Sequence, residues 1–394
     1  MYFAHQKGTV VMSHSRYSLI APAPVDKVVL HHIAMPLVEV LATSFGGDAN
    51  QDAMRGAILV ELHMGGVVGW GECVAAWSPG YSYETIVTAT HVLESFFIPA
   101  VLGKTTLDGL NRFRGHPMAK LAMEGAFWAA VAEHQRVPLG NLFTDGPRKS
   151  RAVVGVSIGI QKSIDATLGV ISKRVNEGYG RIKLKIKPGW DIDMLHEVRK
   201  AFPNILLMAD ANSAYTLDDV ALFKQMDDLN LLMIEQPLGH DDIYQHSKLQ
   251  PQLATPICLD ESIRNTDDAR LAIEIKAGRI INLKPARVGG ISESLELHKF
   301  CYDNGVPLWI GGMLETGMGR AVNLAFASLP GVTLPSDLSA TDRYYNPDIS
   351  NEVFTLNKAD STIDVLTAPG LGVTINPERL AAAKAAYQSV AHTG

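Results

Sequence analysis

From residue 152 onward, short apolar runs alternate with longer stretches of helical periodicity. The runs are AVVGVSIGI (152–160), RIKLKIK (181–187), ILLMAD (205–210), LLMIE (231–235), PICLD (256–260), IINLK (280–284), PLWIGG (307–312) and VTLPSD (332–337). Each has the length of a strand, and the spacers have room for a helix, as crossovers between parallel strands require. Eight such units predict a (β/α)8-type barrel. A doubly wound open sheet is the alternative; the strand count and the lack of GxGxxG after the first run favour the barrel. In the second run Ile182, Leu184 and Ile186 alternate with Lys183, Lys185 and Lys187. Taken alone, that is an edge strand with three lysines in water.

The first third of the chain has another rhythm. Residues 28–32, 57–63 and 67–73 read as strands, the last two joined by Met64-Gly65-Gly66, a hairpin signal. Helical periodicity follows over 83–102 and over the alanine-rich 117–135. Strands followed by helices predict a small α+β domain ending near residue 150. The tail from about 351, with an alanine-rich helix over 377–390, is expected to pack back on that domain.

The charges change the reading of the lysine strand. Asp210, Glu235, Asp260 and Lys284 end successive runs, one per repeat of about 25 residues, and the same step backward reaches Lys185. In a barrel these ends converge on one mouth, where chemistry is built. Any single acid could be a helix N-cap, as in Asp260-Glu261-Ser262. Three acids in phase with two lysines are better explained by a cation that offsets their repulsion. An all-oxygen set without His or Cys suits a hard divalent ion, magnesium first. Positive charge nearby and partial burial would depress a lysine pKa and make it a general base. Lys185 and Lys284, four strands apart, would face each other across the mouth. One base on each face of a planar intermediate permits racemisation; one base and a β-leaving group give elimination.

Composition excludes other classes. The chain has 394 residues, 47% hydrophobic, with a formal net charge of −6, which points away from nucleic acid and anionic membranes. Three scattered cysteines fit a reducing cytoplasm. No apolar run approaches the roughly 20 residues of a membrane helix, and residues 1–26 lack a secretory pattern. His31 and His32, adjacent on a strand, point to opposite faces and make a poor metal pair. Gly289-Gly290 before a helix could cradle an anion, but more simply shapes the loop after Lys284. Ser157 and Glu315 also sit at strand ends.

Together, KLK (183–185), DANSAY (210–215), IEQPL (234–238), CLDES (258–262), NLKPARVGG (282–290) and GGMLETGMGR (311–320) resemble the enolase superfamily, in its muconate-lactonising-enzyme-like branch. With TSFG (43–46) and WGECVA (70–75), the chain resembles the N-acylamino acid racemase and o-succinylbenzoate synthase family over residues 27–375. The resemblance implies a modified TIM barrel, (β/α)7β (151–350), under an α+β capping domain (27–150, completed by 351–394), after an extension of unassigned role (1–26). It implies Asp210, Glu235 and Asp260 as ligands of Mg2+, with Mn2+ or Co2+ as substitutes. Lys185 and Lys284 are the implied acid/base pair, and Lys183 holds the substrate carboxylate. Phe45, Ser157, Asn212, Gly311, Gly312, Met313 and Leu314 are the expected substrate contacts, with 311–314 lining the acyl pocket. Lys187 and Ala129 depart from the family pattern, away from the metal and base positions. The expected activity is racemisation of N-acyl (N-succinyl) amino acids, with o-succinylbenzoate synthesis by syn-dehydration as the alternative. A barrel that has lost activity and serves as a binding protein is the remote one. Homo-oligomerisation and a small carboxylate substrate complete the expectation.

Overall fold

The structure is a computed structural model, and it describes residues 19–43 and 53–391. The expected contact Phe45 and most of the N-terminal extension lie outside them. Three antiparallel strands, β1 (Val25–Pro36), β2 (Met54–Met64) and β3 (Val67–Cys73), form the first sheet in that order. The β2–β3 turn falls at Gly65 and Gly66, both with positive φ (54° and 81°) that glycine adopts without strain. One sheet face packs on the Pro117–His134 helix. That helix is buried along almost its whole length, which explains its alanine-rich, weakly amphipathic sequence. Gly69 and Gly71 are what let it approach: a Cβ there would lie 1.9 Å from the carbonyl oxygens of Ala126 and Ala122.

The periodic stretch expected over 83–102 begins later, at Ile86, behind a reciprocal cap between Thr85 and Thr88. It passes through a π-turn at Leu93–Phe97 and ends at Val101. The C-terminal Pro377–Ala391 helix lies on β1, with Tyr387 stacked 5.3 Å from Trp77 and 5.2 Å from His32. His31 and His32 do face opposite ways: His31 bonds Glu61 at 2.6 Å and His32 bonds Thr90 at 2.7 Å.

The second sheet is parallel and seven-stranded: β5 (Val156–Ile158), β6 (Arg181–Lys185), β7 (Leu206–Asp210), β8 (Ile234–Glu235), β9 (Ile257–Leu259), β10 (Ile280–Leu283) and β11 (Leu308–Ile310), in consecutive order. The expected eighth strand, 332–337, forms no continuous ladder, because Pro335 brings no N–H. It still closes the ring. Thr333 N donates to Leu308 O and Asp337 N to Ile310 O on one side, and on the other Gly155 N donates to Ser336 O and Ser336 N to Val153 O. The single strand expected over 152–160 is two. β4 (Arg151–Val153) leaves the barrel to pair antiparallel with β12 (Thr362–Asp364), while β5 stays in it. The break falls at Gly155, where any Cβ would strike the Arg181 side chain. Among the described residues no helix is long and apolar enough to cross a membrane.

Candidate active site

The period-two pattern of β6 sorts its side chains as alternation requires. Ile182 and Leu184 are buried among apolar neighbours, while Arg181, Lys183 and Lys185 turn to the barrel interior. Lys183 Nζ lies 2.8 Å from Asp337 Oδ2, 3.0 Å from Glu235 Oε2 and 3.2 Å from Asp210 Oδ2. Lys185 donates to Asp210 Oδ2 at 2.7 Å, and across the ring Lys284 donates to Asp260 Oδ2 at 2.7 Å. β7, β8 and β9 stand between the strands that carry Lys185 and Lys284. Register puts Asp210 beside Glu235. Lys187, past the strand end, is exposed.

At about 3 Å and an effective dielectric near 20, an ion pair attracts by about 5 kcal/mol, comparable to the several kcal/mol that burial costs each ion. The balance differs from group to group. Burial alone would depress the Lys183 ammonium, but Asp337, Glu235 and Asp210 outweigh it and hold its pKa well above the usual range. Lys284 is likewise raised, burial being overcome by Asp260. In both cases the cause is a carboxylate in direct contact with the ammonium. Burial would raise Asp210, yet Lys185 and Lys183 hold it down. Glu235 goes up, through burial first and then the repulsion of Asp210 and Asp260. Among the described residues no three His, Cys, Asp or Glu side chains converge as a finished metal cage; the ammonium groups take the carboxylate oxygens. The donor set itself fits a hard cation: three buried, oxygen-only side chains on neighbouring strand ends, with more negative charge than Glu235 tolerates.

The expected substrate contacts divide. Gly311 lies at the site: a Cβ there would fall 2.7 Å from Lys284 Cε and 2.2 Å from Asn282 Oδ1. Gly312, Met313 and Leu314 line the same loop and are partly exposed. The Ser157 hydroxyl donates to Asp337 Oδ2 at 2.6 Å, so it supports the partner of Lys183. Asn212 donates through Nδ2 to Glu261 Oε1 at 3.1 Å. Glu315 does not reach the lysines; it accepts from Met313 N and Asn323 Nδ2, both at 2.9 Å.

Several groups at the site escaped the sequence reading. Asp337 accepts from Arg181 at 2.9 Å as well as from Ser157, and it ends an apolar run just as the three acids do, a signal available in the sequence. Asn282 donates to Glu235 Oε1 at 2.7 Å and Arg287 donates to Asp260. Tyr81, from the first domain, receives a hydrogen bond from Lys284 Nζ at 3.0 Å and donates to Asp260 Oδ1 at 3.2 Å. No local pattern marks Tyr81, since only the folded chain brings it over the mouth.

A barrel with acids and lysines at its strand ends, covered by a sheet-and-helix domain, defines a class, and comparison with known proteins gives the same one. The family described as Enolase C-terminal domain-like matches residues 170–379, and the chain belongs to the enolase superfamily. Within it, the chain is 45% identical over 359 residues to an o-succinylbenzoate synthase of Geobacillus kaustophilus, covering 89% of this chain and 94% of that one. It is also 45% identical over 355 residues to an N-succinylamino acid racemase of Thermus thermophilus, with the same coverage. A solved enolase-superfamily structure from Listeria innocua superposes with a TM-score of 0.86 at 38% identity, covering 92% of this chain and 97% of that one.

Proposed function

We propose that the protein racemises N-acyl amino acids, N-succinyl derivatives foremost, by removing and returning the α-proton on opposite faces. The observation that carries this is the placement of Lys185 and Lys284 on opposite sides of one mouth, each held on an acid at 2.7 Å. In this reading Asp210, Glu235 and Asp260 hold Mg2+, for which Mn2+ or Co2+ can substitute. What the ion supplies is positive charge beside the substrate carboxylate, lowering the cost of the charge that builds as the proton leaves. Lys183 orients that carboxylate and Lys185 takes the proton from one face. Lys284, steadied by Tyr81, serves the other face, and the covering domain excludes water. The protonated state of Lys183 suits holding an anion.

The names of the relatives support a second reading, because a synthase and a racemase stand at the same 45% identity. Dehydration to o-succinylbenzoate needs one lysine as base and the other only as a cation. Three free, buried cysteines suit the reducing cytoplasm, and a homo-oligomer is proposed by analogy with other barrels of this kind.

Proton NMR in D2O with Mg2+ and both enantiomers of an N-succinyl amino acid tests the proposal. Exchange from both enantiomers is expected, and Lys284→Ala should stop it from one face or abolish turnover. Rapid dehydration of the cyclohexadiene precursor with no exchange from any N-acyl amino acid would replace the racemase reading with the synthase.

A further inference from the structure

The loop 311–316 forms one wall of the mouth and carries backbone strain, with Leu314 at φ 62°. Its inner end is fixed by the barrel: Gly311 N donates to Leu283 O at 2.9 Å, and Gly311 packs on Lys284 Cε. Its middle and outer end are held largely by the first domain. Arg55 Nη2, on β2, donates to Met313 O at 3.3 Å and also to Val74 O. Glu72, on β3, accepts from Thr316 N at 2.9 Å, from Thr316 Oγ1 at 2.7 Å and from Gly319 N at 2.8 Å. These donors belong to the first turn and N-cap of the Gly317–Ala327 helix, where orphan amides favour an anion. Within the barrel, Glu315 ties Met313 N and Tyr345 Oη donates to Leu314 O at 2.6 Å. Five backbone groups of the loop, Gly311 N, Met313 N, Met313 O, Leu314 O and Thr316 N, are therefore held, and two of the anchors lie on the covering sheet rather than on its loops.

We infer that Arg55 and Glu72 are positioning residues that set the acyl-side wall relative to Lys284, and that Arg55 biases this wall toward anionic acyl groups. The inference rests on the N-acyl amino acid reading above. The bias follows from the guanidinium charge that Nη2 places beside Met313. Glu72 acts only through Thr316 and the helix start, and its loss should loosen the wall for all acyl groups.

The test compares N-succinyl with N-acetyl forms of one amino acid in the wild type, Arg55→Met, Arg55→Lys and Glu72→Gln, with the far-ultraviolet spectrum and melting point of each recorded. For Arg55→Met, KM for the succinyl substrate is expected to rise about tenfold, the usual weight of one charge-assisted contact. The acetyl substrate should change less than about twofold and kcat little for either, with Arg55→Lys partly restoring the preference. Glu72→Gln keeps one acceptor oxygen and should raise KM for both substrates by a similar factor. An unmoved succinyl-to-acetyl ratio in Arg55→Met, or an equal fall for both substrates that follows loss of folded protein, would overturn the inference while the racemase reading stands. If the wild type exchanges neither substrate, that reading fails and the inference with it.

Discussion

At the barrel mouth the Asp210 carboxylate lies 2.7 Å from a lysine ammonium; at the junction of the two domains Glu72 lies 2.9 Å from a backbone amide. Both regions bury acids completely, but they compensate in different currencies. The mouth uses whole charges on flexible side chains. The junction uses helix N-termini, Glu72 at Gly317–Ala327 and Glu124 on Ser292 N at 3.0 Å, and Glu84 does the same within the first domain, on Met118 N at 2.7 Å and Ala119 N at 3.1 Å. The protonation equilibria record the difference. Asp337 is held far down, its burial outweighed by Lys183 and Arg181. Burial pushes Glu72 and Glu84 up to about 7 and Glu124 to about 8, because amide dipoles recover only part of the lost hydration. At Asp210 and Asp337 whole charges hold a buried acid ionised, while Glu235, crowded by Asp210 and Asp260, rises despite Lys183; the amide-held acids titrate near neutrality.

The contrast can be broken at its strongest point by Lys183→Met, which leaves Asp210, Glu235 and Asp337 with one cation fewer. A loss of about 3–5 kcal/mol is expected in denaturant unfolding, the usual result of orphaning a buried charge; a loss below about 1 kcal/mol would erase the distinction. The next effect is a pH dependence of opposite sign for the amide-held acids and for Asp337. Between about pH 4.5 and 7–8 the folded protein keeps protons on Glu72, Glu84 and Glu124 that the unfolded chain has released, so stability falls as pH rises. The slope is at most about 1.4 kcal/mol per pH unit for each group. Glu124 faces Ser292 and Ile291 at a helix start, with Glu293 as the nearest like charge. Glu124→Gln should flatten the decline between pH 5 and 8 in melting curves, and parallel curves for the two proteins would refute the assignment. Asp337 works the other way, contributing stability that is lost only as pH falls below about 4 toward its depressed pKa. The smallest effect belongs to Lys187→Ala. Two residues beyond Lys185 but exposed, it should change stability by no more than about 0.5 kcal/mol and leave α-proton exchange unaltered.

Much of this was legible in the chain because a barrel repeats. One phase rule placed Lys185, Asp210, Glu235, Asp260 and Lys284 at equivalent strand ends, and period two separated Lys183 and Lys185 from Ile182 and Leu184. Carried two repeats past Lys284, the same rule comes within about three residues of Asp337. What stayed hidden depends on contacts between domains. Tyr81, Arg55 and Glu72 sit in ordinary loop and strand contexts, and their meaning comes from elements up to 258 residues away. Glu124 is a readable anomaly, an acid in the middle of an alanine-rich apolar helix, but its partner at Ser292 lies 168 residues on. Gly289-Gly290 stands next to an acid of this protein's own: a Cβ on Gly290 would strike Glu124. Spacing says which charges are neighbours around the ring, not which of them are in contact.

The interrupted last segment of the ring has a consequence for the order in which the molecule can be completed. A chain made from its N-terminus exposes Arg181 and Lys183 long before residue 337 emerges. Until then the barrel has an open edge and those two cations lack the carboxylate they share. One short stretch, 332–337, delivers both the hydrogen bonds that shut the ring and the acid that settles its charge. Closure of the ring and the charge balance of Arg181 and Lys183 thus depend on the same late stretch of chain.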